Sequence, residues 1–214
     1  MDERLPVRLG ILLLPLSALA VAVTTPMRGE WLMPDDPGFS EWATSSGFAA
    51  WASASLNGTV WLVFGLLALA VALRLAAPRG LLVWGTFLAL SGTLVFLPVT
   101  GFIAMAWPVA AEAHLAGDPG ALAWLTAVHE GRIFQVWSLF AYVTFLAGFL
   151  LLAAAVWRAG WPRWTAVSFG VGAVAISFPW WEALELVGAA VYLVGCAGLA
   201  WRVWRPPAAA GMAD

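Results

Sequence analysis

The sequence predicts an all-α polytopic membrane protein, a six-transmembrane-helix bundle, and three observations lead to this fold class. Of the 214 residues, 63% are hydrophobic and only 10% are charged, whereas soluble domains carry about 25% charged residues. Uncharged stretches long enough for a bilayer recur along the chain. Arginines and acidic residues fall on opposite sides of these stretches. Helices are preferred over a β-barrel because the apolar stretches lack the alternation of barrel strands.

Six stretches are predicted to cross the membrane as three helical hairpins within a single membrane domain, 1–214. A span needs about 20 apolar residues. The second and third uncharged stretches exceed this length, so part of each is expected to lie outside the bilayer. The predicted spans are 8–26, 57–75, 81–106, 133–156, 163–179 and 183–201. Residues 205–214, rich in Pro and Ala, are predicted to form a loose cytoplasmic tail.

The arginines predict the orientation, because basic residues stay on the cytoplasmic side. Eight of the ten arginines lie on the side of the termini with three acids, which gives that side a net charge of +5. Arg28 and Arg132 lie on the other side with nine acids, a net charge of −7, and the two values sum to the chain's −2. We therefore expect a prokaryotic cytoplasmic (inner) membrane protein with cytoplasmic N- and C-termini. Tryptophans cluster at the predicted span ends, as in membrane interfaces.

The two long outer loops carry an internal repeat at an offset of 82 residues, with six identities in seventeen positions. The identities centre on a turn motif, which occurs as Asp36, Pro37 and Gly38 and again as Asp118, Pro119 and Gly120. Asp can cap a following helix, while Pro and Gly set the bend. The pattern predicts a duplication over approximately 8–75 and 81–156, with a degenerate third hairpin at 163–201.

Short amphipathic surface helices are predicted in the same two loops. Leu122, Leu125 and Val128 follow one another at three-residue steps in the second loop, as on one face of a helix. In the first loop, apolar pairs on opposite faces predict a break near Gly47. Both helices are expected to lie in the headgroup plane or to roof a cavity between the spans.

Polar residues near the outer ends of two spans predict a vestibule that could admit a solute. They are His129, Arg132, Gln135 and Tyr142 at the fourth span and Glu182 and Glu185 at the sixth. Charged groups at membrane depth usually have a partner, so Arg132 is predicted to pair with Glu182 or Glu185. The alternative to a solute or proton pathway is a purely structural salt bridge.

Four residues of the second outer loop are weak metal-ligand candidates, because histidine and carboxylate side chains bind zinc and copper. They are Glu112, His114, His129 and Glu130. Their spacing matches no established ligand signature, so solvated loop residues are the alternative. No cofactor is predicted, since no span centre holds a histidine of the kind that ligates haem.

Three functions remain compatible with the sequence. The first is a channel or transporter for a small neutral or weakly basic solute, with an acidic outer vestibule. The second is a non-catalytic membrane subunit that scaffolds a larger complex or docks a basic outer partner. The third is a membrane enzyme that uses the loop His and Glu residues. The sequence favours a non-enzymatic role, because it holds no phosphate loop or nucleophile elbow.

The expected partners follow from the same composition. The lipid bilayer is the first, and a second copy of the chain or other membrane subunits could contact the apolar helix faces. Nucleic acid is not expected to bind, because the sequence has no basic patch.

Overall fold

The computed structural model describes residues 5–177 and 181–205, and over these residues the chain is helical with no β-strand. The prediction of an all-α protein is confirmed. The helices of the described residues are α1 (Leu5–Ile11), α2 (Leu13–Arg28), α3 (Phe39–Ala43), α4 (Ser46–Leu73), α5 (Arg79–Leu115), α6 (Gly120–His129), α7 (Arg132–Arg158), α8 (Arg163–Ala175) and α9 (Glu182–Trp204).

Five helical segments among the described residues are long and apolar enough to cross a membrane, where the sequence predicted six spans. They are Leu5–Arg28, Ser46–Leu73, Arg79–Leu115, Arg132–Arg158 and Glu182–Trp204. The predicted span 163–179 contains α8, whose 13 residues fall short of the ~20 that a bilayer requires. Residues 178 and 179 of that span, like 206–214 of the predicted tail, lie outside the described residues.

The first of these segments consists of α1 and α2, which are separated at Leu12. Pro15 accounts for the break: it has no N–H to donate to the Ile11 carbonyl, and its ring crowds that carbonyl. The Leu16 N–H then donates to the Leu12 carbonyl at 3.2 Å and restarts the helix.

α4 and α5 extend beyond the predicted spans, with 28 and 37 residues. At ~1.5 Å per residue α5 is about 55 Å long, against a hydrocarbon core of about 30 Å. The additional turns lie at the end of the bundle that contains the connections 29–38 and 116–119. We call this end the loop end. The opposite end, with the short connections 74–78 and 159–162, is called the turn end.

The helices α2, α4, α5, α7, α8 and α9 form a closed ring. α4 packs on α5, α5 on α7, α7 on α8, α8 on α9, α9 on α2, and α2 on α4. α8 runs antiparallel to α9, with Gly172 against the Tyr192 backbone and Gly195 against the Phe169 backbone. Small residues at such contacts let helix backbones approach closely. The ring leaves space at its centre wherever the side chains do not fill it.

Two clusters of buried apolar side chains hold the ring together. The larger one extends from the middle of the bundle to the turn end and includes Leu66, Leu69, Phe149, Phe169 and Cys196. The smaller one lies at the loop end and includes Phe39, Phe48, Trp51, Trp107 and Leu125. The central space lies between these two clusters. Helices α3 and α6 occur in the two predicted loops, and their place at a membrane surface stays a prediction.

Candidate functional site

A cavity of about 630 Å³ lies in the loop half of the ring. Residues of α2, α4, α5, α7 and α9 line it, together with residues of neighbouring connections. Sites for small molecules are typically about 300–1,000 Å³. The cavity is therefore large enough to hold a small organic molecule.

The surface of the cavity is mainly apolar, although several hydroxyl side chains line it. Four of these hydroxyls donate to nearby backbone carbonyls: Ser17 to Leu14, Thr59 to Ser55, Thr93 to Ala89, and Ser177 to Ala173, at 2.7–2.8 Å. Their donors are therefore used locally, whereas Ser138 Oγ, also at the cavity wall, is buried and has no hydrogen-bond partner among the described residues. The walls offer a ligand mostly hydrocarbon and aromatic contact.

Stacked aromatic rings close the cavity toward the turn end. The ring centroids of Phe145 and Phe149 are 4.3 Å apart, and those of Phe149 and Phe169 are 5.2 Å apart. Tyr192 follows, 5.5 Å from Phe169. Phe149 and Phe169 are completely buried. This packing separates the cavity from the turn end.

A second aromatic cluster, which we call the aromatic cap, covers the cavity toward the loop end. It comprises Trp31, Phe39, Trp42, Phe48, Trp51 and Trp107, with centroid distances of 4.8–6.4 Å between contacting rings. Trp107 is completely buried and contacts the rings of Trp31, Phe39, Trp42 and Phe48. Trp31 and Trp51 also line the cavity. The α2–α3 connection, α3, α4 and α5 thus build one lid.

An ion pair between α2 and α9 lies beneath the cap. The Arg28 Nη2 donates to Glu185 Oε2 at 2.9 Å, and the Thr25 hydroxyl donates to Glu185 Oε1 at 3.1 Å. Both charged residues are only 3% exposed. Glu185 lines the cavity, whereas Arg28 lies behind it. The carboxylate is thus held in place by two donors from one turn of α2.

Two tryptophan rings and a backbone hydrogen bond help to fix the position of Arg28. Its guanidinium carbon lies 4.9 Å from the Trp31 ring centroid and 5.4 Å from that of Trp51, which favours the cation electrostatically. The indole N–H of Trp42 donates to the Arg28 carbonyl at 2.9 Å. These contacts join the ion pair to the aromatic cap. Disturbing one should therefore disturb the other.

Gly47 allows the start of α4 to reach this region. A Cβ at position 47 would overlap the Met27 carbonyl oxygen. Only glycine lets α4 pack directly against the end of α2 here. The approach places Trp51 beside Arg28, because Trp51 lies one helical turn after Gly47.

His129 also lines the cavity, at the end of α6. Its ring centroid lies 6.0 Å from Trp107 and 4.9 Å from Phe134, and the Gln135 amide donates to the His129 carbonyl at 2.8 Å. Nδ1 is buried and has no hydrogen-bond partner among the described residues. Burial lowers the pKa of His129, and the carboxylates of Glu130 and Asp35 oppose this shift. The imidazole therefore favours its neutral form.

The structure brings four of the six predicted vestibule residues to the cavity wall: His129, Gln135, Tyr142 and Glu185. Arg132 and Glu182 do not line it. The predicted pairing of Arg132 with Glu182 or Glu185 is wrong, because Glu185 pairs with Arg28 and no ion pair joins Arg132 to Glu182. Arg132 is exposed and makes no ion pair among the described residues.

Arg28, Thr25 and Trp31 are site residues that the sequence reasoning missed. The sequence did contain a signal for Arg28, since it is one of two arginines on the predicted outer side, which is otherwise acidic. Helical spacing could not find its partner, which lies 157 residues away in sequence.

The four metal-ligand candidates do not come together. Among the described residues no group of three or more His, Cys, Asp or Glu side chains could hold a metal ion. Glu112 and His114 are exposed near the end of α5, whereas His129 faces the cap.

The two copies of the turn motif both precede a short helix, but they differ in detail. Asp36 Oδ2 accepts from the Met33 N–H at 2.7 Å, and Gly38 has a positive φ of 81° before α3. Asp118 Oδ1 accepts from the Gly120 N–H at 2.8 Å, where Gly120 already begins α6. The duplication itself remains a prediction.

Comparison of the chain with protein-family models, with curated proteins and with solved structures finds no match.

Proposed function

We propose that the protein is a membrane carrier for a small neutral or weakly basic solute, which occupies the cavity in the loop half of the bundle. The observation that supports this most is the cavity itself, about 630 Å³ and lined by Gln135, Tyr142 and Glu185. The mainly apolar walls suit a solute that is largely hydrocarbon. The cavity-facing carboxylate suits a polar group that donates hydrogen bonds.

A carrier is favoured over an open channel because aromatic packing covers both ends of the cavity. The rings of Phe145, Phe149 and Phe169 lie toward the turn end, and the aromatic cap lies toward the loop end. Passage of a solute would require one of these layers to move. In carriers such movements alternate around a fixed site near the middle of the membrane.

The carrier proposal includes six crossings with both termini in the cytoplasm, so that the loop end faces outward. α8 would then be the fifth crossing. The antiparallel packing of α8 on α9 supports this, as does the excess of arginine at the turn end.

Purification of the protein distinguishes the carrier function from the alternative, a non-catalytic membrane subunit. The protein would be isolated in mild detergent and analysed by native mass spectrometry for bound molecules. A bound small molecule supports the carrier, while a stoichiometric protein partner with an empty cavity contradicts it.

Flux measurements in proteoliposomes test the transport step directly. Uptake of a panel of small neutral and weakly basic solutes would be compared for the wild type, Ser138→Phe and Val143→Phe. Ser138 lines the cavity, whereas Val143 is an exposed residue of the same helix that does not line it. We expect flux to be lost in Ser138→Phe and retained in Val143→Phe. Equal flux in the two variants would contradict the proposal.

A further inference from the structure

A groove of about 360 Å³ lies between α7 and α8, close to the turn end. It is lined by one face of each helix: Leu150, Ala153, Ala154, Trp157 and Arg158 on α7, and Ala166, Val167, Gly170 and Val171 on α8. The α7 residues follow Leu150 by three, four, seven and eight positions, which is the spacing of a single helix face. The groove shares no lining residue with the central cavity. The two are therefore separate.

Small residues form the floor of the groove, and large apolar residues form its rim. On the floor, a Cβ at position 170 would lie 3.0 Å from the Cβ of Ala153, so the helices are close together there. The rim side chains are 44–56% exposed: Leu150, Trp157, Val167 and Val171. Exposed apolar side chains favour hydrocarbon over water, and α7 is long and apolar enough to cross a membrane. The groove therefore faces the acyl chains of the bilayer.

Two arginines lie at the turn end of the groove. Arg158 lines the groove directly. The guanidinium carbon of Arg163 lies 5.2 Å from the ring centroid of Trp157, so the first residue of α8 reaches back over the end of α7. Leu150 precedes Arg158 by eight residues, about 12 Å along the helix axis. The groove thus combines an apolar length with a cationic end.

Neither arginine has a carboxylate partner in the part of the chain that the structure describes. Arg158 and Arg163 are exposed and form no ion pair with a described residue. Within residues 5–177 and 181–205, every acidic side chain lies at the loop end. A guanidinium presents five N–H donors in a planar fork that matches the geometry of a phosphate. A phosphate from outside the chain is therefore a complementary partner for this end of the groove.

We infer that an anionic phospholipid binds in this groove, with its phosphate at Arg158 and Arg163 and one acyl chain along the alanine and glycine floor. Basic pockets between membrane helices bind anionic lipid head groups. The two positive charges favour an anionic lipid over a zwitterionic one, and the apolar groove favours a lipid over free phosphate. The site lies apart from the central cavity, so lipid binding here and the carrier function can fail separately.

Photolabelling in phosphatidylcholine nanodiscs tests the choice of lipid. Phosphatidylglycerol with a diazirine on one acyl chain would be compared, at the same mole fraction, with a phosphatidylcholine that carries the same chain. Labelled peptides would be mapped by mass spectrometry. We expect phosphatidylglycerol to label residues 150–171 at least about fivefold more than phosphatidylcholine, since one arginine near an anionic head group contributes about that factor. Equal labelling of this segment by the two lipids would overturn the inference.

The role of the two arginines is tested by removing one charge at a time. Arg158→Gln and Arg163→Gln should each lower phosphatidylglycerol labelling of residues 150–171 by about fivefold. Arg74→Gln is the matched control, because Arg74 is an exposed arginine of the turn end that does not line the groove. We expect no change in this control. A loss in Arg74→Gln as large as that in Arg158→Gln would mean that the overall charge of the turn end attracts the lipid, and the assigned site would be wrong.

The position of the acyl chain is tested by filling the groove. Ala154→Phe should abolish the preference for phosphatidylglycerol at residues 150–171, whereas Ala190→Phe, at an exposed alanine of α9 outside the groove, should retain it. The same preference in both variants would contradict a chain in the groove. Glycerol phosphate, which has the head group without the chains, should not reduce labelling. Competition as strong as that of unlabelled phosphatidylglycerol would indicate a site for phosphate alone and would overturn the lipid.

Discussion

Arg28 and Glu185 are, among the described residues, the two whose charges are most completely removed from solvent. Burying an ion pair costs desolvation energy, and removing one partner leaves the other charge buried without compensation. The pair is therefore a sensitive point of the structure, whatever its net contribution to stability. Its effect should be visible in stability as well as in ligand binding.

Arg28→Met is expected to destabilise the protein by about 3–5 kcal/mol. The double variant Arg28→Met with Glu185→Leu should recover most of this loss, because no buried charge is left uncompensated. Denaturant unfolding in detergent micelles would measure both. Arg132→Met, at an exposed arginine, is the control and should change stability by less than about 0.5 kcal/mol. An equal loss in Arg28→Met and Arg132→Met would contradict the interpretation.

His129 should make the stability of the loop end depend on pH. Its folded-state pKa is lowered by burial, so the neutral form is the one that folding favours. The stability it contributes is complete above about pH 6.5, the ordinary histidine pKa, and is lost as the pH falls below that value through the folded pKa. Thermal unfolding should therefore occur at lower temperature at about pH 5 than at about pH 7.5.

The variant His129→Leu should reduce this pH dependence, because it removes the group that resists protonation. His114→Leu should keep it, since His114 is exposed. Acidic residues also make the stability of both variants depend on pH. The informative measurement is therefore the difference between the pH profiles of His129→Leu and His114→Leu. A pH profile that is unchanged in His129→Leu would exclude this role for the imidazole.

Four of the predicted vestibule residues line the cavity: His129, Gln135 and Glu185 lie near helix ends, whereas Tyr142 lies ten residues after Arg132 in α7. The ion-pair partner was predicted wrongly for a physical reason. Arg132 and Glu185 both lie at the outer ends of predicted spans, which made them plausible partners. Arg28 reaches Glu185 instead because α2 packs against α9, a contact between helices that are far apart in sequence. Spacing along one helix carries no information about which helices become neighbours.

At the scale of elements, hydropathy located the five long segments and the ends of α7 and α9 to within three residues, but it missed the start of α4 and the end of α5. The predicted second span began at Asn57, after a stretch that contains Ser53 and Ser55. The helix begins at Ser46 instead. Polar groups fit within it because they bond inside the helix: the Asn57 amide donates to the Ser53 carbonyl at 2.8 Å. The break predicted near Gly47 occurs at Thr44 and Ser45, between α3 and α4.

The junction of α2 and α4 should not tolerate any side chain at position 47. Gly47→Ala is expected to destabilise the protein by about 1–3 kcal/mol, the usual cost of overpacking, because the Met27 carbonyl would have to move. Gly80→Ala is the matched control: a methyl group at position 80 would meet no other atom within 4 Å, and alanine favours helix by up to about 1 kcal/mol. Unfolding in micelles would measure both, and equal stability would contradict the close contact.

For the molecule as a whole, the orientation and the number of crossings before α8 are testable together. Cysteines introduced at Ala76, Gly117 and Gly160, one at a time in a Cys196→Ala background, would be treated in intact cells with a membrane-impermeant maleimide. The proposed topology predicts reaction at position 117 alone. Reaction at position 160 but not 76 would indicate an odd number of crossings between the two turns. This prediction rests on the distribution of arginines, because the helices alone do not show which side of the membrane is cytoplasmic.

The separation of Arg28 from Glu185 along the chain has a consequence for biogenesis. The arginine emerges from the ribosome 157 residues before its partner, a delay of roughly 8–30 s at about 5–20 residues per second. During that interval α2 holds an uncompensated cation at its end, so it should not pack stably until α9 inserts. A nascent chain released after residue 177 should therefore be degraded rapidly, and Arg28→Met in the same truncated chain should lengthen its lifetime.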